Sequence, residues 1–189
     1  ALEDPEVYFI GGYRVNEVTN RYPDIRFRFN PDWAVSGSAR SLALMSGDSS
    51  VATYVCYSDV VFRRPVARRM SAIEADVVLA VDSHWRVRYD GRTRADMDGA
   101  EKIRLSDNRV VEVGRHVDVK QAAAEFVGLM RFSATTTEHV YAALTGDQLP
   151  MSAGMPELIN YLSQVGEEQL LEETDYEKEN ARFFYTRQV

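Results

Sequence analysis

The chain has 189 residues, 45% of them hydrophobic, enough for one domain with a proper core. Its net charge of −7 argues against nucleic acid as the main partner, and no apolar run approaches the roughly 20 residues of a membrane span. No charged-then-apolar leader precedes Glu3, and the single Cys56 leaves no disulfide within the chain, so the expectation is a cytoplasmic protein.

In chain order, Val7 to Ile10 reads as a strand, Gly11-Gly12 as a tight turn, and Arg14 to Tyr22 as a short helix that Pro23 stops. Ile25 to Phe29 alternates apolar and basic residues, a half-buried strand near a sheet edge. Asn30-Pro31-Asp32 is a turn. The small-residue loop Ser36-Gly37-Ser38 leads into a helix from about Ala39 to Met45. Val51 to Tyr57 is β-branched, aromatic or small throughout, which predicts a short strand buried on both faces. It delivers one carboxylate, Asp59, at its carboxyl end, the edge where open α/β sheets bind ligands. Asp59 reads equally as a cap for the helix that follows, roughly Pro65 to Ile73.

Ala75 to Asp82 repeats the pattern of a buried strand ending in an acid. Strands alternating with helices at this spacing predict crossovers and a mostly parallel sheet. Lys102–Leu105 and Arg109–Val113 flank Ser106-Asp107-Asn108 as a hairpin. Glu125 to Phe132 is a further apolar strand, with Gly128 where backbone or ligand approaches closely. Ser133 caps a helix reaching about Leu144, Met155 to Val165 forms another, and Asp175 to Tyr185 reads as a last one. There is no internal repeat or linker, so residues 1–189 are taken as a single domain.

Nearly all the positive charge is Arg, the side chain that grips phosphate or carboxylate oxygens in bidentate fashion. Arg63, Arg64, Arg68 and Arg69 read as a solvated face. The loop from Asp82 to Arg94 instead sets Arg86, Arg88, Arg92 and Arg94 around Trp85 and Tyr89. Trp85 with its basic neighbours also reads as a packed aromatic with snorkelling arginines, and Tyr89 as a hydrogen-bonded core residue. The three histidines lack metal-ligand spacing, and Cys56 reads as core filler.

Four stretches together carry a resemblance: Tyr57-Ser58-Asp59-Val60-Val61-Phe62; Asp76 to Tyr89, containing Asp82-Ser83-His84-Trp85; Ala100-Glu101-Lys102-Ile103; and Glu125-Phe126-Val127-Gly128 through Ser133. Over roughly residues 7 to 165 the chain resembles nucleotidyltransferases of the NTP-transferase superfamily. It is most similar to the cytidylyltransferases of phosphocholine and of phosphonates such as 2-aminoethylphosphonate or phosphonoformate. The resemblance implies a Rossmann-like, mostly parallel mixed sheet flanked by helices. It also implies transfer of CMP from CTP to a small phospho-acid, with pyrophosphate leaving and Mg²⁺ as the cofactor.

On the same likeness Asp59 matches the metal-binding acid, and Ser36, Gly37, Ser38, Ser41 and Ser58 match nucleotide-binding positions. Asp82, Trp85, Tyr89, Arg92 and Glu125 fall around the acceptor, and Lys102 touches substrate. Relatives often carry Asn near position 37, so base choice stays open. The acceptor also stays open between a phosphonate and phosphocholine, as does the possibility of a homodimer.

Two departures from the family pattern matter. The Gly-rich loop Leu-Ala-Ala-Gly-x-Gly-x-Arg and its following Lys have no counterpart, which predicts a natural polypeptide longer at its start by roughly 30 to 50 residues. The family's Trp-x-Glu-x-Asp element is replaced by Glu172-Glu173-Thr174-Asp175, which reads as an acidic helix start or as the source of a second metal ligand. A sugar-1-phosphate nucleotidylyltransferase and a non-catalytic nucleotide-binding relative remain the alternatives. The metal assignment is tested by Asp59→Asn, which should abolish Mg²⁺-dependent turnover and leave the fold intact, because a carboxylate–metal contact contributes several kcal/mol to the transition state. Normal turnover of the variant at limiting Mg²⁺ would remove Asp59 from that role.

Overall fold

A computed structural model describes residues 5–45, 51–106, 109–165 and, for the backbone, 171–175. In order, the elements are β1 (Tyr8–Gly11), α1 (Val15–Arg21), β2 (Arg26–Phe29), α2 (Ser38–Leu42), β3 (Thr53–Cys56) and α3 (Arg64–Ala72). Then come β4 (Val77–Asp82), α4 (Trp85–Arg88), α5 (Arg94–Asp98), β5 (Lys102–Ser106), β6 (Arg109–Gly114) and β7 (Ala124–Phe132). The last described elements are α6 (Ala134–Thr145), α7 (Met155–Val165) and β8 (Leu171–Asp175).

The six-stranded sheet runs β6-β5-β7-β4-β8, with β3 also paired to β7, and β1 and β2 form a separate parallel pair. β7 is antiparallel to β3, β4 and β5, and β5 is antiparallel to β6; only β4 and β8 pair in parallel within this sheet. The expectation of a mostly parallel sheet is therefore corrected. β3, α3 and β4 do make a strand-helix-strand unit with parallel strands, but β7 is inserted between them and pairs with both in the opposite sense.

β4 is buried along its whole length, and its alternation divides the core in two. Val77, Leu79 and Val81 join Met130, Phe132, Leu144, Leu158 and Ile159 on the face covered by α2, α6 and α7. Val78 and Ala80 point the other way and pack with Leu129 and with Met70 of α3. A third, smaller cluster of Trp85, Tyr89, Ala100, Val117 and Ala122 closes the end of the sheet beyond Asp82. β3 departs from its sequence pattern: it is half-buried rather than buried, and Cys56 is exposed. Among the described residues it has a strand on one edge only, so it packs as an edge strand.

Several local expectations hold. Ser133 caps α6, its Oγ accepting from the Thr136 N–H at 3.2 Å, and β5 and β6 form the hairpin. The turn residues Asp107 and Asn108 lie outside the described residues, as does the expected helix beyond position 175. The acidic stretch Glu172-Glu173-Thr174-Asp175 is a strand, not a helix start, because it lies along the free edge of β4 in parallel register. Gly128 sits in a β-bulge, where the pairing shifts between Leu79–Met130 and Val81–Phe126, with φ of 79°. A side chain there would run into the Tyr57 ring.

The outer strand β6 is closed by a side chain in place of another strand. Asn160 of α7 accepts from the Val113 N–H at 2.8 Å and donates to the Val113 carbonyl, also at 2.8 Å. Val113 is fully buried, so both of its backbone groups depend on this one amide. Asn160→Ala should lower unfolding free energy by roughly 2 kcal/mol or more, since each buried group left unpaired costs about 1–3 kcal/mol. Denaturant melts that coincide with wild type would show that the edge is held in another way.

Candidate functional site

Two groups of side chains meet at the end of the sheet marked by the carboxyl end of β4. The first grows from the β4–β7 pairing, which sets Asp82 opposite Glu125. Both are buried polar residues, at 9% and 5% exposure, and two adjacent buried carboxylates require a cation between them. Arg88 supplies it from α4. Its Nε lies 2.5 Å from Asp82 Oδ2 and its Nη2 lies 2.6 Å from Glu125 Oε2. The remaining oxygens are also engaged: Asp82 Oδ1 accepts from the His84 N–H at 2.8 Å and Glu125 Oε1 from the Tyr89 hydroxyl at 2.7 Å. Burial pushes the Glu125 carboxyl up, while the Tyr89 hydrogen bond and Arg88 pull it down.

Around this floor the expected acceptor residues do assemble, with different duties. Trp85 is fully buried, packs edge-on to Tyr89 at 5.7 Å and carries the Arg86 guanidinium 4.8 Å above its ring. Its Nε1 has no acceptor among the described residues. Arg86 is spent on structure, donating to the carbonyls of Val119 and Ala122 at 2.6 and 2.7 Å. Arg92 stays exposed with its guanidinium 5.3 Å from the Tyr89 ring centre. Lys102, in register with Glu125, is buried, and its Nζ donates to the carbonyls of Asp98 and Ala100, both at 3.0 Å. Its ammonium thereby holds the turn after α5, and desolvation lowers its pKa.

The second group surrounds the small-residue loop. Gly37 N–H donates to the Met151 carbonyl at 2.9 Å and Ala39 N–H to the Ala153 carbonyl at 3.2 Å. Position 37 needs glycine because a Cβ would overlap the backbone of Ser152 and Ala153. Ser38 Oγ accepts from the Met155 N–H at 3.1 Å and also hydrogen-bonds Tyr57. Ser36 and Ser41 are held by Asn30, a residue that reads from sequence only as part of a turn. Ser58 and Asp59 lie exposed in the turn after β3. Although Cys56 is exposed as a residue, desolvation around its thiol, with the charge of Asp59 adding to it, pushes the thiol up to about 11, which leaves it inert at neutral pH.

Tyr57 joins the two groups. Its hydroxyl donates to Glu101 Oε2 at 3.1 Å, and Glu101 directly precedes Lys102. Burial raises the pKa of Glu101, against the Tyr57 hydrogen bond and the charge of Arg115. Tyr57, Glu101 and Arg115 thus join the site with roles that the sequence does not assign, although Tyr57 and Glu101 lie within its motifs and Arg88 within its arginine-rich segment; Arg115 carries no local signal.

The arrangement can bind groups rich in oxygen: the exposed guanidinium of Arg92 lies beside carboxylates that are already satisfied. Among the described residues no group of three or more His, Cys, Asp or Glu side chains could hold a metal ion. The exposed carboxylate of Asp59 fits an ion that keeps most of its water, as Mg²⁺ does. No helix is long and apolar enough to cross a membrane among the described residues.

No protein-family model matches the sequence, and no curated protein matches it either. The fold does match solved structures. The inositol-1-phosphate CTP transferase from T. maritima superposes with a TM-score of 0.63 at 17% identity, covering 88% of this chain and 64% of that one. A structure assigned as a glucose-1-phosphate thymidylyltransferase from Bacillus anthracis, solved with sucrose, gives a TM-score of 0.62 at 12% identity, covering 89% of this chain and 66% of that one. The likeness is one of fold, and the chain spans a little under two thirds of the length of each.

Glu101 yields a pH prediction. Its pKa is raised in the folded protein, so the folded state holds the proton more tightly than the unfolded chain does. The stability this contributes is present below the ordinary Glu range and is lost as pH rises through the raised value. Glu101→Gln keeps an acceptor for Tyr57 and removes the titration. The variant's melting temperature relative to wild type should therefore climb across that interval; a difference constant from pH 4 to 8 would contradict it.

Proposed function

We propose that this protein is a nucleotidyltransferase, and more narrowly a cytidylyltransferase that transfers CMP from CTP to a small phosphonate. A phosphonate oxygen attacks the α-phosphorus, the bond to the bridging oxygen of the β-phosphate breaks, and pyrophosphate leaves. Such chemistry asks the protein for in-line placement and for donors aimed at oxygen. The fold shared with a CTP transferase and a thymidylyltransferase supports the reaction class.

One observation carries the choice of acceptor. Asp82 and Glu125, the acids that would greet a quaternary ammonium, are neutralised by Arg88 and have every carboxylate oxygen occupied. What the site offers outward is guanidinium, from the exposed Arg92 beside Tyr89. A phosphonate gains charge-assisted hydrogen bonds there, and choline gains nothing. In this reading Ser36, Gly37, Ser38 and Ser41 hold the base, Ser58 adjoins the nucleotide, and Trp85 and Tyr89 wall the acceptor. Lys102 holds the turn beneath the acceptor. Asp59 would hold Mg²⁺, which would supply neutralisation of the charge that develops on the phosphate oxygens.

A second reading, transfer to a sugar or inositol phosphate, is favoured by the names of the two fold neighbours. Pyrophosphate release from CTP with a panel of acceptors separates the two readings. The panel would contain 2-aminoethylphosphonate, phosphonoformate, a hydroxyalkylphosphonate, phosphocholine, glucose-1-phosphate and inositol-1-phosphate. A phosphonate should be turned over best. Arg92→Ala should raise the acceptor KM about tenfold or more, from the loss of a charge-assisted bond of about 1.5–3 kcal/mol, with less effect on the KM for CTP. Best turnover with phosphocholine sinks the phosphonate assignment, and best turnover with a cyclitol or sugar phosphate installs the second reading.

A further inference from the structure

Helix α3 and the residue before it carry Arg63, Arg64, Arg68 and Arg69, and all four are exposed. Residues 60–73 contain no acid; Asp59 and Glu74 lie just outside them. Among the described residues no guanidinium of the four has an ion pair or a hydrogen bond. This arrangement works against the helix. Arg64 and Arg68 stand one turn apart, a like-charge pair that destabilises a helix. Arg63 and Arg64 sit at the positive end of the helix dipole, where an acid or a capping side chain is the rule. The first turn of α3 has neither.

The helix holds because its other side is packed. Ala67 is buried, and Met70 and Val66 pack with Val78, Ala80 and Leu129. Arg64, Arg68 and Arg69 share the opposite arc, about 140° wide on the helix wheel. Apolar surface adjoins this face. Val61, two residues before Arg63, is 72% exposed, and Phe62 between them is only half-buried. An ordinary solvated face mixes both signs of charge and carries no such tip. A local rule broken without a gain inside the fold points to a partner outside it.

We propose that the outer face of α3, with Val61 at its edge, is a docking surface for an anionic lipid membrane. Guanidinium keeps its charge at any physiological pH and offers paired N–H donors that match phosphate oxygens. A bilayer presents such oxygens over a plane, so all four arginines find partners without a matched set of acids. The exposed valine meets the boundary between headgroups and acyl chains, where an apolar side chain beside cations is accommodated. The net charge of −7 does not forbid the approach, because charges more than about 8 Å from the bilayer are largely screened at physiological salt. Attachment is therefore reversible and oriented, with α3 towards the lipid.

Co-sedimentation of the whole chain with vesicles tests this, using phosphatidylcholine alone and an equimolar mixture of phosphatidylcholine and phosphatidylglycerol. Wild type should bind the mixed vesicles, ignore the neutral ones and be released as salt is raised. Arg68→Ala combined with Arg69→Ala should weaken binding about tenfold or more, since each arginine near such a surface is worth about fivefold. Arg63→Ala with Arg64→Ala should do the same, and decides the matter if thermal melts show the first pair unfolded. Val61→Asp should weaken binding as well. Arg21→Ala with Arg109→Ala removes equal charge from exposed positions elsewhere and should bind as wild type does. Absence of binding to the mixed vesicles overturns the proposal. So does equal weakening by the Arg21 and Arg109 pair, which would make the attraction a property of overall charge. Binding to polyglutamate with none to vesicles gives the face to an acidic protein and overturns the membrane assignment.

Discussion

Strand β7 runs antiparallel between β3 and β4, and this insertion decides which side chains can meet. On one edge it pairs Glu125 with Asp82 and so creates the carboxylate floor. On the other it pairs Glu125 with Lys102 and brings the Gly128 carbonyl to the Tyr57 N–H at 2.8 Å. The bulge at Gly128 offsets the two ends of the strand, which lets one element serve the core at Met130 and the site at Glu125. A parallel neighbour in the same place would reverse the strand and present the hydrophobic end where the acids now stand.

Once the two acids are paired, the surrounding structure follows from their neutralisation. Arg88 reaches both only because Trp85–Arg88 turns back as a short helix directly after β4, with Trp85 anchored in its own small cluster. Removing the cation would leave two carboxylates close together in a dry site, a loss of the order of 3–5 kcal/mol for a broken buried pair. The polar chain then continues through Tyr89, and, from Lys102, back to Glu101 and Tyr57. Both ends of the site thus hang on one set of neighbouring contacts, from Ser38 to Asp82.

Much of this was legible in the sequence where the signal is local. The uninterrupted apolar run of β4, the nine-residue β7, the capping serine of α6 and the glycine of the bulge all carry their reasons within a few residues. Strand order does not, because no residue in β7 announces which neighbours it will have; periodicity gave the strands and the wrong direction for the sheet. Exposure of Cys56 was missed for the same reason, since a short apolar strand reads alike at the centre and at the edge of a sheet. β8 was missed because acidic residues are poor strand formers, and an edge beside β4 overrides that preference. Asn30 had a half-visible signature: its bond to the Asp32 N–H is the local turn that Asn-Pro-Asp predicts, but the serines it holds lie 6 and 11 residues on.

The arginines of the acceptor segment show why counting charge in a sequence misleads. Four cations between Arg86 and Arg94 read as a strong positive field. In the fold Arg86 is committed to two carbonyls, Arg94 lies 3.5 Å from Asp98 on an exposed helix, and Arg88 is spent on Asp82 and Glu125. Set against the two buried acids, Arg88 and Arg92 bring the cluster close to neutral. On the proposed reading its selectivity would depend less on long-range attraction, which salt would screen, than on the direction in which N–H groups point. The serine loop is likewise held by direction rather than charge, since the neutral amide of Asn30 donates to both Ser36 and Ser41. On that reading a chain with a net charge of −7 needs no cationic basin to hold an oxygen-rich anion, because its buried acids are neutralised locally and the recognition is directional.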